Sequence, residues 1–584
     1  VNGPNPVDTS SRRRARRYAV PRTMIERATE RRLAGDWAGA CAAAHVDLGF
    51  DPHDVAARHG ADVAAAVEDD LRHLVPDLLR WHAPRRLGGR STLAPDVAVL
   101  LSRHTSRSAG PVLLYVLTPA TVDGPQRLLL RLGSPQEERR PGAEAITCED
   151  WSTARHLWDE RHTAELRERC GGGPDRPPFL EADGTPRDPS LLPVADPGDA
   201  PGADPAARTE WTVLLQESGR TAEAFAAAGI TLEAAPPRWE LAPYVLTLTR
   251  LEDELERLAA QLPGSRFRLD AGRRGTLYLE PAAGADDVVQ AQVAAPRGDT
   301  PLLPRWLHQP LPDLLLLREG HLKPADLHPL VGASLFPSLP VPEGPPGPRR
   351  PEPVRVRCGG TWHEVVSRGG RLDIPHREEE QPPEHAGCGL PAACGLPADC
   401  RRLLRQPRPT DCFAVRETWT TGVGRLPKAL RAQRTELFQR AQHGDTAGVL
   451  ALLDAGVDPR VRDAGRRSLL HVLHLLDHEA LLPRLVEAGL DLEARDCRQR
   501  TPLYAAVHQG GSPALVRSLL ALGARIDVVD ELGLTMAQVI GRYRRSDLGF
   551  LRERVEREHP GRGSWWPGMT RDEEPVWKRG RAAE

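Results

Sequence analysis

The chain has almost no lysine. Lys323, Lys428 and Lys578 are the whole set, and arginine supplies the remainder of 78 basic residues. A formal net charge of −2 excludes a globally basic nucleic-acid binder and leaves only local patches. Aromatic residues make up 4% and are not interleaved with the arginines, so a stacking platform for single-stranded nucleic acid is missing. No apolar run reaches the roughly 18 residues of a membrane-spanning helix. Nor is there a Gly-x-x-x-x-Gly-Lys-Ser/Thr loop, a Gly-x-Gly-x-x-Gly after a strand, or a Gly-x-Ser-x-Gly elbow, which removes the common signatures of nucleotide and acyl-transfer chemistry. The nine cysteines are odd in number and contain no Cys-x-x-Cys pair. They fit a reducing, cytoplasmic setting better than a disulfide framework.

What is present is proline (56), glycine (52) and much alanine. With arginine in place of lysine, this composition fits a GC-rich bacterial genome, and it makes arginine runs weak evidence for a ligand. The length predicts several modules joined by Pro-rich connections. Residues 1–23, with Ser10-Ser11-Arg12-Arg13-Arg14, have no apolar segment behind them and read as a disordered arm. Helical periodicity over Met24–Ala34, Trp37–His45 and residues 53–82 is followed by a hairpin, Val112–Leu117 with Arg127–Leu132, and by a helix over Trp151–Cys170. This gives an α+β module over 24–170. Residues 171–208, dense in Gly, Pro and Asp, read as a linker. A second α+β module spans 209–338, with strands near Phe267, Thr276–Glu280 and Val288–Val293. Residues 339–353 are a Pro-rich linker. Residues 354–430 hold a short strand cluster and a Cys- and Pro-rich stretch.

The most specific pattern lies further on. Gly456, Gly489 and Gly523 each end an apolar helical stripe, and Asp463, Asp496 and Asp530 follow at the same interval of about 33 residues. The strongest copy reads Asp496-Cys-Arg-Gln-Arg-Thr501-Pro502-Leu503-Tyr-Ala-Ala-Val-His508. Thr501 is suited to cap a helix, Pro502 to its first turn, Leu503 to its core, and the glycines to left-handed helix ends. Ser468-Leu-Leu-His471 is a weaker copy, Gly533-Leu-Thr535-Met-Ala537 a degenerate last one, and Leu437–Asp454 a degenerate first one. This region resembles the ankyrin repeat family. The resemblance implies an all-α stack over 431–558, closed by a helix near Leu548–Glu556, with a poorly ordered tail after 559. It also implies binding of a protein partner through a concave face of first helices and loop tips. The tips carry Arg460, Arg462, Arg466, Arg467, Arg495, Arg498 and Arg500, with His508 nearby, and such arginines suit carboxylates on a partner.

Three other constellations carry ligand or acid–base residues. His385, Cys388, Cys394, Cys400 and Cys412 offer zinc-ligand chemistry. However, Cys388-Gly-Leu-Pro-Ala-Ala and Cys394-Gly-Leu-Pro-Ala-Asp read as a tandem duplication, so no metal and no cofactor is expected. Cys358 and His363 suit a thiolate–imidazole pair across a hairpin, but a half-buried Cys and a surface His is the simpler expectation. His156 and Glu160, with Asp150 and His162, read as a solvated helix face, and no catalytic residue is expected. The whole is thus a multi-domain protein, α+β modules before a helical repeat stack. Non-catalytic protein–protein interaction is its first reading. An enzyme or effector of unrecognised family in residues 24–340, targeted by the repeats, is the alternative, and a nucleic-acid-linked regulator the third.

Overall fold

The structure is a computed structural model. It describes residues 6–105, 110–138, 146–196, 200–233, 246–262, 266–270, 276–282, 289–294, 300–358, 360–376 and 411–560. The chain divides into two compact units, Val1–Val122 with Gln126–Gly347, and Asp123–Pro125 with Pro348–Glu584. No described helix is long and apolar enough to cross a membrane.

The first unit is built on a five-stranded sheet: β1 (Val46–Leu48), β2 (Val97–His104), β3 (Val112–Leu117), β4 (Leu128–Gly133) and β5 (Thr147–Asp150), in the order β1-β4-β3-β2-β5. The central hairpins are antiparallel and the two outer strands join in parallel. Both faces are covered. Val97, Val99, Leu114, Val116, Leu128 and Leu130 join the main core, while Ala98, Leu100, Tyr115 and Leu117 form a smaller cluster. Burial on both sides explains why these strands read as near-continuous apolar runs rather than alternating ones. A second sheet orders β6 (Thr231–Leu232), β9 (Gln290–Ala294), β8 (Thr276–Glu280) and β7 (Phe267–Asp270). It packs with helices Pro205–Glu217, Thr221–Ala227 and Leu251–Gln261 around Trp211, Phe225, Leu255 and Leu277.

Several sequence expectations are corrected here. Residues 1–23 are not simply a disordered arm: Pro6–Tyr18 is a helix, and Arg16 is buried, donating to Asp313 at 2.6 Å and to the Trp81 carbonyl at 2.6 Å. The expected helix at 151–170 is mostly 3₁₀ turns, with α-helix only at Leu166–Arg169. Trp151, Ala154 and Leu157 are buried at intervals of three, the 3₁₀ period. The supposed linker 171–208 is packed in place. Arg176 forms a buried ion pair with Glu210, which also accepts the Phe179 amide at 2.7 Å, and Leu180 is fully buried. The two proposed modules share a core, because Leu314, Leu317, Val331 and Phe336 pack with residues of the first sheet. The Pro-rich stretch is divided: Arg17 donates to the Pro346 carbonyl, whereas the Glu352 carbonyl accepts from Gln433.

The second unit begins with an antiparallel meander, β10 (Val354–Cys358), β11 (Thr361–Arg368) and β12 (Arg371–Asp373). Its buried residues Val354, Val356, Val365 and Leu372 belong to one continuous core with all the helices that follow. Those helices are Cys412–Thr421, Lys428–Gln442, Thr446–Asp454, His478–Glu487, Pro502–His508, Pro513–Ala521, Met536–Arg542 and Gly549–Glu558, with a 3₁₀ segment at Leu469–Leu475. The meander covers the start of this array. The Leu372 amide donates to Asp458 at 3.1 Å, and Gly456 (φ 95°) approaches so closely that a β-carbon would lie 3.3 Å from the Gly369 nitrogen. A left-handed backbone and a crowded approach both demand glycine at 456.

Candidate binding surface

The phased aspartates build the loop tips. Asp496 accepts the amides of Arg498 and Arg500 at 2.8 and 2.9 Å, and Asp530 accepts those of Leu532 and Leu534 at 2.9 and 3.0 Å. Asp463 accepts the Arg467 amide at 2.8 Å. The same position of each tip turns left-handed: Arg466 (φ 62°), Gln499 (φ 60°) and Gly533 (φ 74°). Consecutive tips are joined, because the Cys497 amide donates to the Gly465 carbonyl at 2.9 Å and the Glu531 amide to the Arg498 carbonyl at 3.0 Å. Thr501 caps its helix by accepting the Tyr504 amide, Pro502 occupies the first turn, and Leu503 is fully buried. Gly489 (φ 76°) and Gly523 (φ 91°) follow their helices in the left-handed conformation.

Side chains also staple each repeat to the next. His471 lies wholly in the core, its Nε2 3.0 Å from the Arg500 carbonyl and its Nδ1 facing the Ser468 amide at 3.2 Å. A carbonyl can only accept, so Nε2 carries the proton and Nδ1 receives the amide. Tyr504 stands one repeat later and its hydroxyl donates to the Leu534 carbonyl at 3.0 Å. A Tyr thus performs the reach that His performs in the preceding repeat, which the sequence motif alone concealed.

This geometry carries a pH dependence. Burial, opposed by the Arg500 carbonyl, pushes His471 down from its ordinary 6.5 to about 4. The unfolded chain therefore binds the proton first. Stability is full above pH 6.5 and is lost as pH falls from 6.5 towards 4, by roughly 3 kcal/mol for this residue. Urea midpoints between pH 7 and pH 4 should show the fall, and His471→Gln should remove part of the slope. Equal slopes in both proteins would rule out His471 as its source.

The tip arginines divide into groups. Arg460 is held by Asp458 through contacts at 2.9 Å, and Arg467 by Asp463 at 2.7 Å. Arg495 donates to the Gln499 carbonyl at 2.6 Å. Arg500 is 6% exposed and is a core residue, not part of a surface. Arg498 is exposed, with only a loose approach of 3.8 Å to Glu531. Arg462 and Arg466 are half-buried, and burial followed by the Arg466 charge lowers the Arg462 pKa. His508 is half-buried in a row with Tyr504 and Tyr543, at ring separations of 6.4 and 5.1 Å.

The other sequence candidates resolve differently. His156 is buried edge-on against Trp306 at 5.7 Å, while Glu160 pairs with Arg32, so they serve separate contacts and are not one solvated face. A group that the sequence did not single out, Ser102, His104 and Asp70, converges in the first unit, at 2.9 Å and 3.2 Å. Both contacts use the same imidazole nitrogen, Nε2, so no relay from carboxylate through the ring to the hydroxyl exists. Arg155 binds Asp70 at 2.8 Å, and the carboxyl falls to about 2, with burial opposing the pull of His104, Ser102 and Arg155. His385, Cys388, Cys394 and Cys400 lie outside the described residues. Cys412 and His363 meet at 3.5 Å, and Cys358 and His376 join them within a cluster whose ligating atoms all lie within 4.8 Å of one another. His376 was missed because no motif spacing links it to the other three.

Compared with known families, the N-terminal region has no match, whereas residues 437–530 match the family model for ankyrin repeats (3 copies), and this C-terminal region is an ankyrin-repeat region.

Proposed function

We propose that this protein is a non-catalytic binding scaffold whose repeats seize an acidic segment of a protein partner. Ankyrin repeats are in general protein–protein interaction modules, and the match over residues 437–530 is the observation that carries the reading. The arrangement of the tips refines it. Arg460 and Arg467 are already neutralised by aspartates of their own loops, and Arg500 is interior. Among the tip arginines, those with no carboxylate within hydrogen-bond distance are Arg462, Arg466, Arg495 and Arg498, and Arg462 and Arg495 donate to backbone carbonyls. Guanidinium groups grip carboxylates through paired hydrogen bonds, and rim charges of this kind act mainly on the association rate and its salt dependence.

The test compares full-length protein with an Arg462→Glu/Arg498→Glu variant. Partners captured by the wild type are purified and their association rates measured against salt. Charge reversal should slow association at least tenfold at low salt and flatten the salt dependence. Equal rates for both proteins would defeat the acidic-partner reading, and identical capture after removal of the repeats would defeat the scaffold reading itself.

A further inference from the structure

We propose that Cys358, His363, His376 and Cys412 form a tetrahedral zinc site that ties the β10–β12 meander to the helix beginning at Cys412. The four ligands come from four separate places, and the fold brings them together. In the β10–β11 ladder Cys358 pairs with Thr361, and Val356 pairs with His363. Cys358 and His363 are therefore diagonal neighbours on one face, the face that buries Val354, Val356 and Val365. His376 follows β12, just past buried Ile374. Cys412 is the first residue of its helix, directly after Asp411, whose carboxylate caps the Ala414 amide at 2.7 Å.

The distances suit the ion. Zinc bonds of about 2.3 Å to sulfur and 2.0 Å to nitrogen, at tetrahedral angles, require a sulfur–nitrogen edge of about 3.5 Å. Cys412 Sγ and His363 Nδ1 are 3.5 Å apart. All four ligating atoms lie within 4.8 Å of one another. The ring of His376 is fixed by stacking on Phe413 at 5.2 Å and meets His363 at 4.6 Å. Two thiolates and two imidazoles select zinc over oxygen-seeking cations such as magnesium or calcium. Two thiolates also cancel the charge of the ion, so a neutral centre sits beside the apolar core.

The set differs from the one the sequence suggested, sharing only Cys412 with it. Binding is balanced by release of the two thiol protons to solvent, and no oxidant is involved. The ion would close the chain over residues 377–411 and so reduce the entropy lost when the meander docks on the array it covers. This is a structural role, in keeping with four protein ligands that leave no open coordination position.

Cobalt(II) alone is the first probe, added to reduced, chelator-treated full-length protein. One equivalent should produce the visible bands of a tetrahedral thiolate-bearing site, and one equivalent of zinc should erase them. Cys358→Ser and His376→Gln should each abolish the bands, whereas the triple change Cys388→Ser/Cys394→Ser/Cys400→Ser should leave them intact. A second measurement needs no variant. Zinc should protect half-buried Cys358 of the wild-type protein from iodoacetamide at least tenfold, while exposed Cys497 is alkylated equally with and without it. No cobalt spectrum, a spectrum unchanged by Cys358→Ser and His376→Gln, or native protein carrying a Cys358–Cys412 disulfide and no zinc would each overturn the proposal.

Discussion

Asp445→Ala is expected to destabilise the second unit by about 3 kcal/mol, because it takes one of two carboxylates away from a buried arginine and removes a helix cap. Asp445 sits at the turn between Lys428–Gln442 and Thr446–Asp454. One carboxylate oxygen accepts the Gly448 amide at 2.8 Å and the other pairs with Arg440 at 2.6 Å. Arg440 and Asp445 are both in the core. Glu436 remains within 2.7 Å of Arg440 in the variant and limits the loss. The same sequence device occurs in the first unit, and it sets the scale. Asp36 follows Gly35, accepts the Gly39 amide at 2.7 Å and pairs with Arg31 at 3.2 Å, but that pair is exposed. There the change to Ala removes little beyond a helix cap, so Asp36→Ala should cost only about 1 kcal/mol. Hydrogen exchange of the helices flanking each turn measures both losses locally, without assuming that the two units unfold together. Comparable losses at the two sites would show that burial of the ion pair is not what separates them.

The second large effect lies near the beginning of the chain. Arg16→Ala should leave Asp313 charged and buried, at a loss of about 3–5 kcal/mol. The Arg16 guanidinium lies 4.6 Å above the Trp81 ring, and the Trp81 indole donates to the other oxygen of Asp313 at 3.2 Å. The group is therefore a three-membered polar knot inside apolar surroundings. Replacing both charges, Arg16→Met with Asp313→Leu, should recover a large part of the loss, since a buried pair can often be exchanged for hydrocarbon of similar volume. Thermal unfolding of the single and double variants decides the matter. A harmless Arg16→Ala would return the Arg-rich segment to the disordered arm that its composition suggested.

That segment illustrates where reading the sequence stops. Arg12–Arg17 looks like a solvated charge run, and nothing local announces that one member of it pairs with a carboxylate 297 positions away. The loop tips are the opposite case. A carboxylate that accepts the amide four residues later, and a residue that turns left-handed, are local events, so their period survives in the sequence as Asp463, Asp496 and Asp530. The two inter-repeat staples fall between these extremes. His471 matches the family motif, but Tyr504 does the same work with different chemistry and is invisible to a pattern. The 3₁₀ turns at Arg155–Leu157 and Glu160–Glu165 pass for an α-helix in the sequence because a spacing of three over one or two turns resembles one of 3.6. The cysteine–histidine cluster was half seen. The strand register between Cys358 and His363 is readable from their positions, whereas the approach of His376 and Cys412 is a tertiary event.

The bonds between repeats also run in opposing senses. Between loop tips, the later member donates to the earlier, as Cys497 does to Gly465 and Glu531 to Arg498. Between the helices, the earlier member donates to the later, as His471 does to Arg500 and Tyr504 to Leu534. Each repeat thus offers one standard plug and one standard socket to either neighbour, independent of which neighbour it is. Loss or duplication of a whole period, such as residues 468–500, joins like to like and preserves both kinds of bond. The intervals themselves differ, 33 residues from Asp463 to Asp496 and 34 from Asp496 to Asp530, and both kinds of bond form across each. Copy number in this part of the molecule can therefore change by whole periods without losing either kind of bond.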